Sequence, residues 1–297
     1  MQSTHHIDSV SAHDHILLLS TNGDVLSFGS NKHFQIQSTC DHQFQTPVQI
    51  PLHNAIRISA GDCHSLVLLK NGDLFGWGYN DDEQILPFSH DLYLDISKID
   101  LPYKLLDIHA GHYYSYGLTD EGKIITWGRW RYGFQESGKL SNICLMNGYL
   151  DRLIVIDANS SVFTLINNKV VSHSIKAKSV AAGKRHFIAV DLNGLVWGWG
   201  ENYKGQLGIC SDVSKKPMQV PGLRNVKMVA AGDFTSVALT HNGSVYIWGD
   251  NSNNSFGVPK TINNTPIQLK GLDNIIEIFS GRKHLFMRSS SSNLCFY

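Results

Sequence analysis

Four histidines, His15, His64, His186 and His284, stand at one place in a recurring sequence, four residues after Ser11, Ala60, Ala182 and Ser280. Imidazole can ligate a metal, move a proton or hold a hydrogen bond. A metal centre needs several ligands within about 4 Å of one another, and copies carried on successive structural units do not converge in that way. The structural reading is an imidazole bonded to a neighbouring strand's backbone. His5 and His6 lie in a polar terminus and read as solvated. The carboxylate run Asp81-Asp82-Glu83 offers a cation or a basic partner three oxygen ligands, and reads more simply as a solvated loop. There is no Gly-x-Ser-x-Gly elbow, phosphate loop or His-Glu-x-x-His. No catalytic residue, metal ligand or cofactor is therefore assigned.

Two features favour partner binding. Arg129-Trp130-Arg131-Tyr132 follows Trp127-Gly128 and falls where a loop should be exposed. Trp, Tyr and Arg are enriched at binding hot spots because they join large area to polar reach. Trp130 is out of phase with the repeating tryptophans, although it could also cap a short neighbouring unit. The second feature is the pair of positions between the glycine and the histidine of each unit. They read Asp62-Cys63, Lys184-Arg185, Asp233-Phe234 and Arg282-Lys283. If they share one rim, that rim carries acidic and basic sectors, which steer and orient a charged partner. Scattered solubilising charge is the plainer account.

The elements that must position these residues are set by the repeat. Ile58-Ser-Ala-Gly-Asp-Cys-His-Ser-Leu-Val-Leu-Leu-Lys-Asn-Gly-Asp-Leu-Phe-Gly-Trp-Gly-Tyr-Asn80 recurs from Val180 to Asn202 and from Val229 to Asn251, with a fourth copy from Ile108 to Gly128 and weaker copies near residues 10, 145 and 278. The small residues Ser11, Ala60, Ala110, Asn147, Ala182, Ala231 and Ser280 are spaced 49, 50, 37, 35, 49 and 49 apart. Seven units result, starting near 9, 58, 108, 145, 180, 229 and 278, with the fourth degenerate. Each reads as strands about an Asn-Gly turn. Gly72, Gly122, Gly194 and Gly243 supply the positive φ of a primed turn, and Gly61 and its equivalents mark close backbone approach. A small sheet cannot bury both faces alone, and radial stacking solves this. The expectation is an all-β, seven-bladed propeller forming one domain over residues 1–297. Trp77, Trp127, Trp199 and Trp248, with Phe28 and Tyr297 in phase, are expected between blades. Residues around Thr4–Val10 are expected to complete the last blade as an added strand. Cys295 is in phase with the strand position of Phe75 and reads as part of a sheet rather than as a lipidation site.

Bulk composition excludes several classes. Lys plus Arg and Asp plus Glu both number 25, a zero balance that argues against nucleic acid held by bulk electrostatics. The five cysteines are scattered, without metal or redox spacing, and read as reduced, small apolar side chains in a reducing compartment such as a cytosol. The first residues are polar and no stretch approaches the ~20 apolar residues of a membrane span.

Ala-Gly-x-x-His-Ser, then Asn-Gly-x-(Val/Leu)-x-x-Trp-Gly-x-Asn, then Gly205-Gln-Leu-Gly208, resembles the repeat of the regulator of chromosome condensation family. The resemblance covers nearly the whole chain, strongest in units two, five and six. It implies a seven-bladed propeller that binds proteins, expected here as a monomer. The family's founding member is the nucleotide exchange factor for the small GTPase Ran. Others are ubiquitin-ligase modules, ciliary scaffolds, and a fungal scaffold serving tRNA modification and diphthamide synthesis. A group secreted by Legionella into host cells activates Ran. The resemblance thus implies a Ran-like GTPase partner, with a host-delivered effector and a non-enzymatic scaffold as the two forms to weigh. The chain departs from the founding member in its short tail without Lys or Arg and in showing no extra hairpin to act as a wedge. Exchange, where it occurs, would come from binding energy and not from a catalytic side chain.

Overall fold

The computed structural model describes residues 6–39, 41–129, 133–138, 140–166, 169–251, 262–272, 274–290 and 294–296, the side chains of 262, 263 and 294–296 excepted. Among them the strands form seven antiparallel groups of one design. In the second sheet, Ala55–Ala60, His64–Leu69, Leu74–Tyr79 and Tyr93–Ile99 pair in chain order. The turn of this unit departs from expectation. Leu69 accepts the N–H of Gly72 and donates to Asp73, and only Gly72 has positive φ, at 92°. This is a type I turn closed by a left-handed glycine, because Asn71 keeps negative φ and either primed turn needs a positive φ at its first central residue.

The contacts divide the chain into two compact units, Met1–Ile143 and Cys144–Tyr297. The first contains the sheets that begin at Ile7, Ala55 and Leu105. Its third sheet has a final strand of two residues, Gln135–Glu136. In the second unit, Lys169–Ala182 is one strand of 14 residues whose first part closes the fourth sheet and whose last part opens the fifth. A shrunken outer strand and a missing connection account for the two short repeat intervals. No helix interrupts the described part of residues 129–178.

Ile7–Ala12 corrects one expectation. It pairs with His15–Ser20 as the inner strand of the first sheet, and does not complete the last one. Only His13 and Asp14 separate the two strands, so local pairing costs little closure entropy. Leu294–Phe296 lies on Leu285–Ser289 with Cys295 opposite Met287, as the strand reading of Cys295 requires.

Each apolar cluster joins neighbouring sheets. Leu17 and Val25 pack with Val67 and Trp77, Leu66 and Leu74 with Ile125 and Trp127, and Ile188 and Val196 with Ala238 and Trp248. Trp77, Trp127, Trp199 and Trp248 are buried, as expected.

Polar bonds fix how these faces meet. The buried His15 Nε2 lies 2.6 Å from the hydroxyl of Ser65 on the next sheet. That hydroxyl donates to the carbonyl of Gln35 at 2.7 Å, and the Trp77 indole donates to the same carbonyl at 2.8 Å. His64, Ser115 and Gln84 repeat the histidine, serine and carbonyl part of it, and His186, Ser236, Gln206 and Trp248 repeat the whole. A serine has one proton and gives it to the carbonyl, so Nε2 must be the donor in each pair. The imidazole partner is therefore a side-chain hydroxyl and not the expected strand backbone. His284 differs from the other three, because its ring is exposed. Gly183 shows why a glycine precedes the histidine: a Cβ there would meet the His186 ring at 2.2 Å and the Gly232 carbonyl at 2.6 Å.

Asn80 holds the long outer loop, its Oδ1 accepting the N–H groups of Ile85 and Leu86 at 2.9 and 3.0 Å. Asn31 and Asn202 do the same in their units. These loops carry the Gln35, Gln84 and Gln206 carbonyls, so each asparagine places the acceptor for the next sheet.

Ser65→Ala leaves the His15 N–H without its acceptor and should destabilise the protein by ~1–3 kcal/mol in urea unfolding. Burial, first of all, lowers the pKa of His15, His64 and His186 to about 3. Between that value and the ordinary 6.5 the unfolded chain takes up protons that the folded chain refuses. The stabilisation is complete above about pH 6.5 and is lost as pH falls towards 3. Three such groups give a slope of at most ~4 kcal/mol per pH unit. The urea midpoint should fall from pH 7 to pH 5, and a flat profile would contradict neutral buried imidazoles.

Candidate partner-binding rim

The residue after each repeat's glycine sits on the tight bend between the first and second strands. In the first unit this position places His13, Asp62 and His112 together from three successive sheets. His13 Nδ1 is 3.1 Å from Asp62 Oδ1, and His112 Nδ1 bonds Oδ2 of the same carboxylate. The Asp62 N–H donates to the Gly111 carbonyl at 3.1 Å, so the bends are joined through backbone as well. Burial works against the Asp62 charge, but hydrogen bonds from His112 and His13 outweigh it and hold the carboxyl well below the usual range. Asp14 is exposed beside this group, and one ligand atom each from His13, Asp14 and Asp62 lie within 4.8 Å of one another. Burial and the neighbouring Asp62 push the Cys63 thiol up to about 12, which removes it as a nucleophile at neutral pH. Arg129 lies over the Tyr113 ring at 4.7 Å, and Tyr113 meets His112 edge-on.

In the second unit, Asp233 is buried and accepts from the Tyr149 hydroxyl and from Arg282 Nε, the latter at 3.3 Å. Its N–H donates to the Arg282 carbonyl at 3.0 Å. The acidic and basic bends of these two sheets therefore join each other. Lys184 Nζ lies over the Phe234 ring at 5.6 Å. Arg152 donates to the Lys184 carbonyl at 3.2 Å and stacks on Phe187. Arg185 is exposed and bonds Glu201 at 2.9 Å, and Lys283 is exposed.

Among the expected site residues, Asp62 and the group Lys184, Asp233 and Arg282 are thus each brought into local clusters, and Arg129 lies near the first of them. Trp130, Arg131 and Tyr132 lie outside the described residues. The run Asp81-Asp82-Glu83 is only partly solvated. Glu83 is buried, and its carboxylate accepts the Phe88 N–H at 3.0 Å. The cysteines differ from the apolar reading too, since Cys144 and Cys210 are exposed and free. Sequence reasoning missed His13, His112 and Tyr149 as partners of the rim charges. For the two histidines the signal was present, because both occupy the repeat position that was read only in units two, five, six and seven.

The Regulator of chromosome condensation (RCC1) repeat matches residues 193–239 and 242–287, and a second form of it matches 55–84, 177–206 and 226–255. The chain belongs to the RCC1-repeat family. The Drosophila melanogaster Regulator of chromosome condensation is 30% identical over 67% of this chain and 32% of its own length. The probable E3 ubiquitin-protein ligase HERC6 of Homo sapiens is 27% identical over 74% of this chain and 21% of its length. The chain thus spans a fifth to a third of these relatives. The solved structure of Prp20p from Saccharomyces cerevisiae, studied for its binding to Gsp1p and histones, superposes with a TM-score of 0.81 at 19% identity, over 96% of this chain and 84% of that one. The fold is the seven-bladed RCC1-type β-propeller, and each sheet is one blade. Among the described residues no helix is long and apolar enough to cross a membrane.

Within this RCC1 propeller, Asp233→Ala would leave Arg282 and the Tyr149 hydroxyl without a shared acceptor. A loss of ~1–3 kcal/mol in urea unfolding is expected, towards the low end because Arg282 is 33% exposed.

Proposed function

We propose that this propeller binds a small GTPase of the Ran type and alters the GTPase's nucleotide state or location, using Asp62 in the first unit, Lys184, Arg185, Asp233, Arg282 and Lys283 in the second, and the sequence Arg129-Trp130-Arg131-Tyr132. The observation that carries this reading is the repeat register. One position on the tight bend carries His13, Asp62, His112, Lys184, Asp233 or Arg282 in six of the seven repeats, so charge recurs there in phase. Prp20p, which shares the fold, binds Gsp1p and histones, and the founding member of the family acts on Ran. In the form implied by the Legionella resemblance, the GTPase would belong to a host cell.

Nucleotide exchange by such a surface needs no catalytic side chain. Binding energy spent on a conformation that holds nucleotide poorly speeds its release. Lys283 and Arg185, the latter bonded to Glu201, present exposed positive charge, whereas Asp233 and Arg282 are tied to each other and act by setting the shape of their bends. The exposed cations therefore govern encounter rate and its salt dependence, and the half-buried Asp233–Arg282 pair governs lifetime.

The test is release of a fluorescent guanine nucleotide from Ran, together with capture of Ran on immobilised propeller. Acceleration or capture is expected, with Lys184→Glu/Arg185→Glu and Trp130→Ala each weakening capture about tenfold or more, as hot-spot losses do. No release and no capture would sink the GTPase reading. Recovery of a different stable partner would favour a scaffold instead.

A further inference from the structure

We propose that His13, Asp14 and Asp62 form a binding site for a divalent first-row transition ion, of which zinc is the test case, on the bends of the first and second blades. One ligand atom from each residue lies within 4.8 Å of the others. Metal–ligand bonds of about 2.0–2.1 Å put tetrahedral ligand atoms roughly 3.3 Å apart. His13 Nδ1 and Asp62 Oδ1 are already 3.1 Å apart, so the edge between them has nearly the right length. Asp14 is exposed, and its carboxylate can close on an ion by rotating about its own side-chain bonds.

The surroundings supply what such a site needs beyond its ligands. His112 Nδ1 bonds Oδ2, which leaves Oδ1 as the ligand atom and fixes the carboxylate plane. Orienting contacts of this kind tune ligands and preserve geometry at metal centres. The Asp62 N–H to the Gly111 carbonyl at 3.1 Å anchors the bend itself. His13 is 7% exposed and Asp62 18%, so these two ligands sit in a partly desolvated wall while the Asp14 side remains open to solvent.

The donor set chooses the ion class. One imidazole with two carboxylates suits zinc, manganese or cobalt. Calcium, which takes six to eight oxygens, is poorly served by two carboxylates and a nitrogen. Three protein ligands leave a fourth position open, and its place on the rim lets water or a partner's carboxylate fill it. The ion would clip the first blade to the second, adding to the buried serine and carbonyl bonds between them.

The test uses the whole chain with His5→Gln and His6→Gln, so that the terminal pair cannot contribute, stripped with chelator and titrated with zinc by calorimetry. Metal content after desalting and the thermal midpoint are read in parallel. One zinc per chain and a midpoint several degrees higher are expected, as ligand binding to the folded state requires. Asp14→Asn, at an exposed position outside the His13–Asp62–His112 chain, should fold as the parent does and weaken zinc binding at least tenfold. His13→Gln should abolish the stoichiometric step. In the parent, cobalt should give visible absorption of tetrahedral intensity that is lost in both variants. Absence of zinc uptake by the parent would overturn the site, and so would equal uptake by Asp14→Asn and His13→Gln.

Discussion

The structure depends on a carbonyl that serves two donors from the next sheet. In the first unit the Gln35 carbonyl accepts both the Ser65 hydroxyl and the Trp77 indole, and His15 donates to that same hydroxyl. Apolar clusters supply most of the driving force between sheets, but apolar packing alone tolerates sliding. A carbonyl buried between two sheets has to be matched by its donors, since an unmatched one costs desolvation energy. The hydrogen bonds therefore set register while the leucines, valines and tryptophans set strength. The arrangement also explains three otherwise separate features of the repeat. Asparagine holds the loop that offers the carbonyl, tryptophan and serine reach for it, and glycine leaves room for the histidine ring.

From this framework the contacts at the bends follow. Because neighbouring sheets within each unit meet in a constant register, the bends between their first two strands adjoin, and their side chains meet across sheets. Backbone bonds from Asp62 to Gly111 and from Asp233 to Arg282 draw these bends together. Charges brought so close do not behave as independent surface charges. Asp233 and Arg282 join, and Asp62 lies between two imidazoles. In the second unit Lys283 and Arg185, the latter bonded to Glu201, remain exposed. Bends held by such internal pairs lose little ordering entropy when something docks on them.

Much of this is legible in the sequence. The seven units, their strand content, the burial of the four repeated tryptophans and the sheet register of Cys295 all follow from spacing and phase. Other features are not. The Asn-Gly turn was read as primed, and the distinction depends on a single φ at Asn71 that composition does not encode. The strand Ile7–Ala12 was expected at the far end of the chain, because repeat phase gives an inner strand no preference between two sheets with free edges. Asp81-Asp82-Glu83 looked solvated, yet Glu83 turns inward to cap the Phe88 N–H. The short third and fourth units were seen as short, while the continuous strand Lys169–Ala182 that makes them so was not.

The amino-acid order by itself determined the repeat, the all-β architecture and the RCC1 kinship, because period and turn chemistry are local properties carried by neighbouring residues. Only the tertiary structure decided which charges remain available to a partner and which cancel. That outcome depends on pairs some 50 residues apart, such as Asp62 with His13 and His112, or Asp233 with Arg282. Partners at that separation are chosen by how one sheet rests on the next, and no local pattern in the chain specifies the choice.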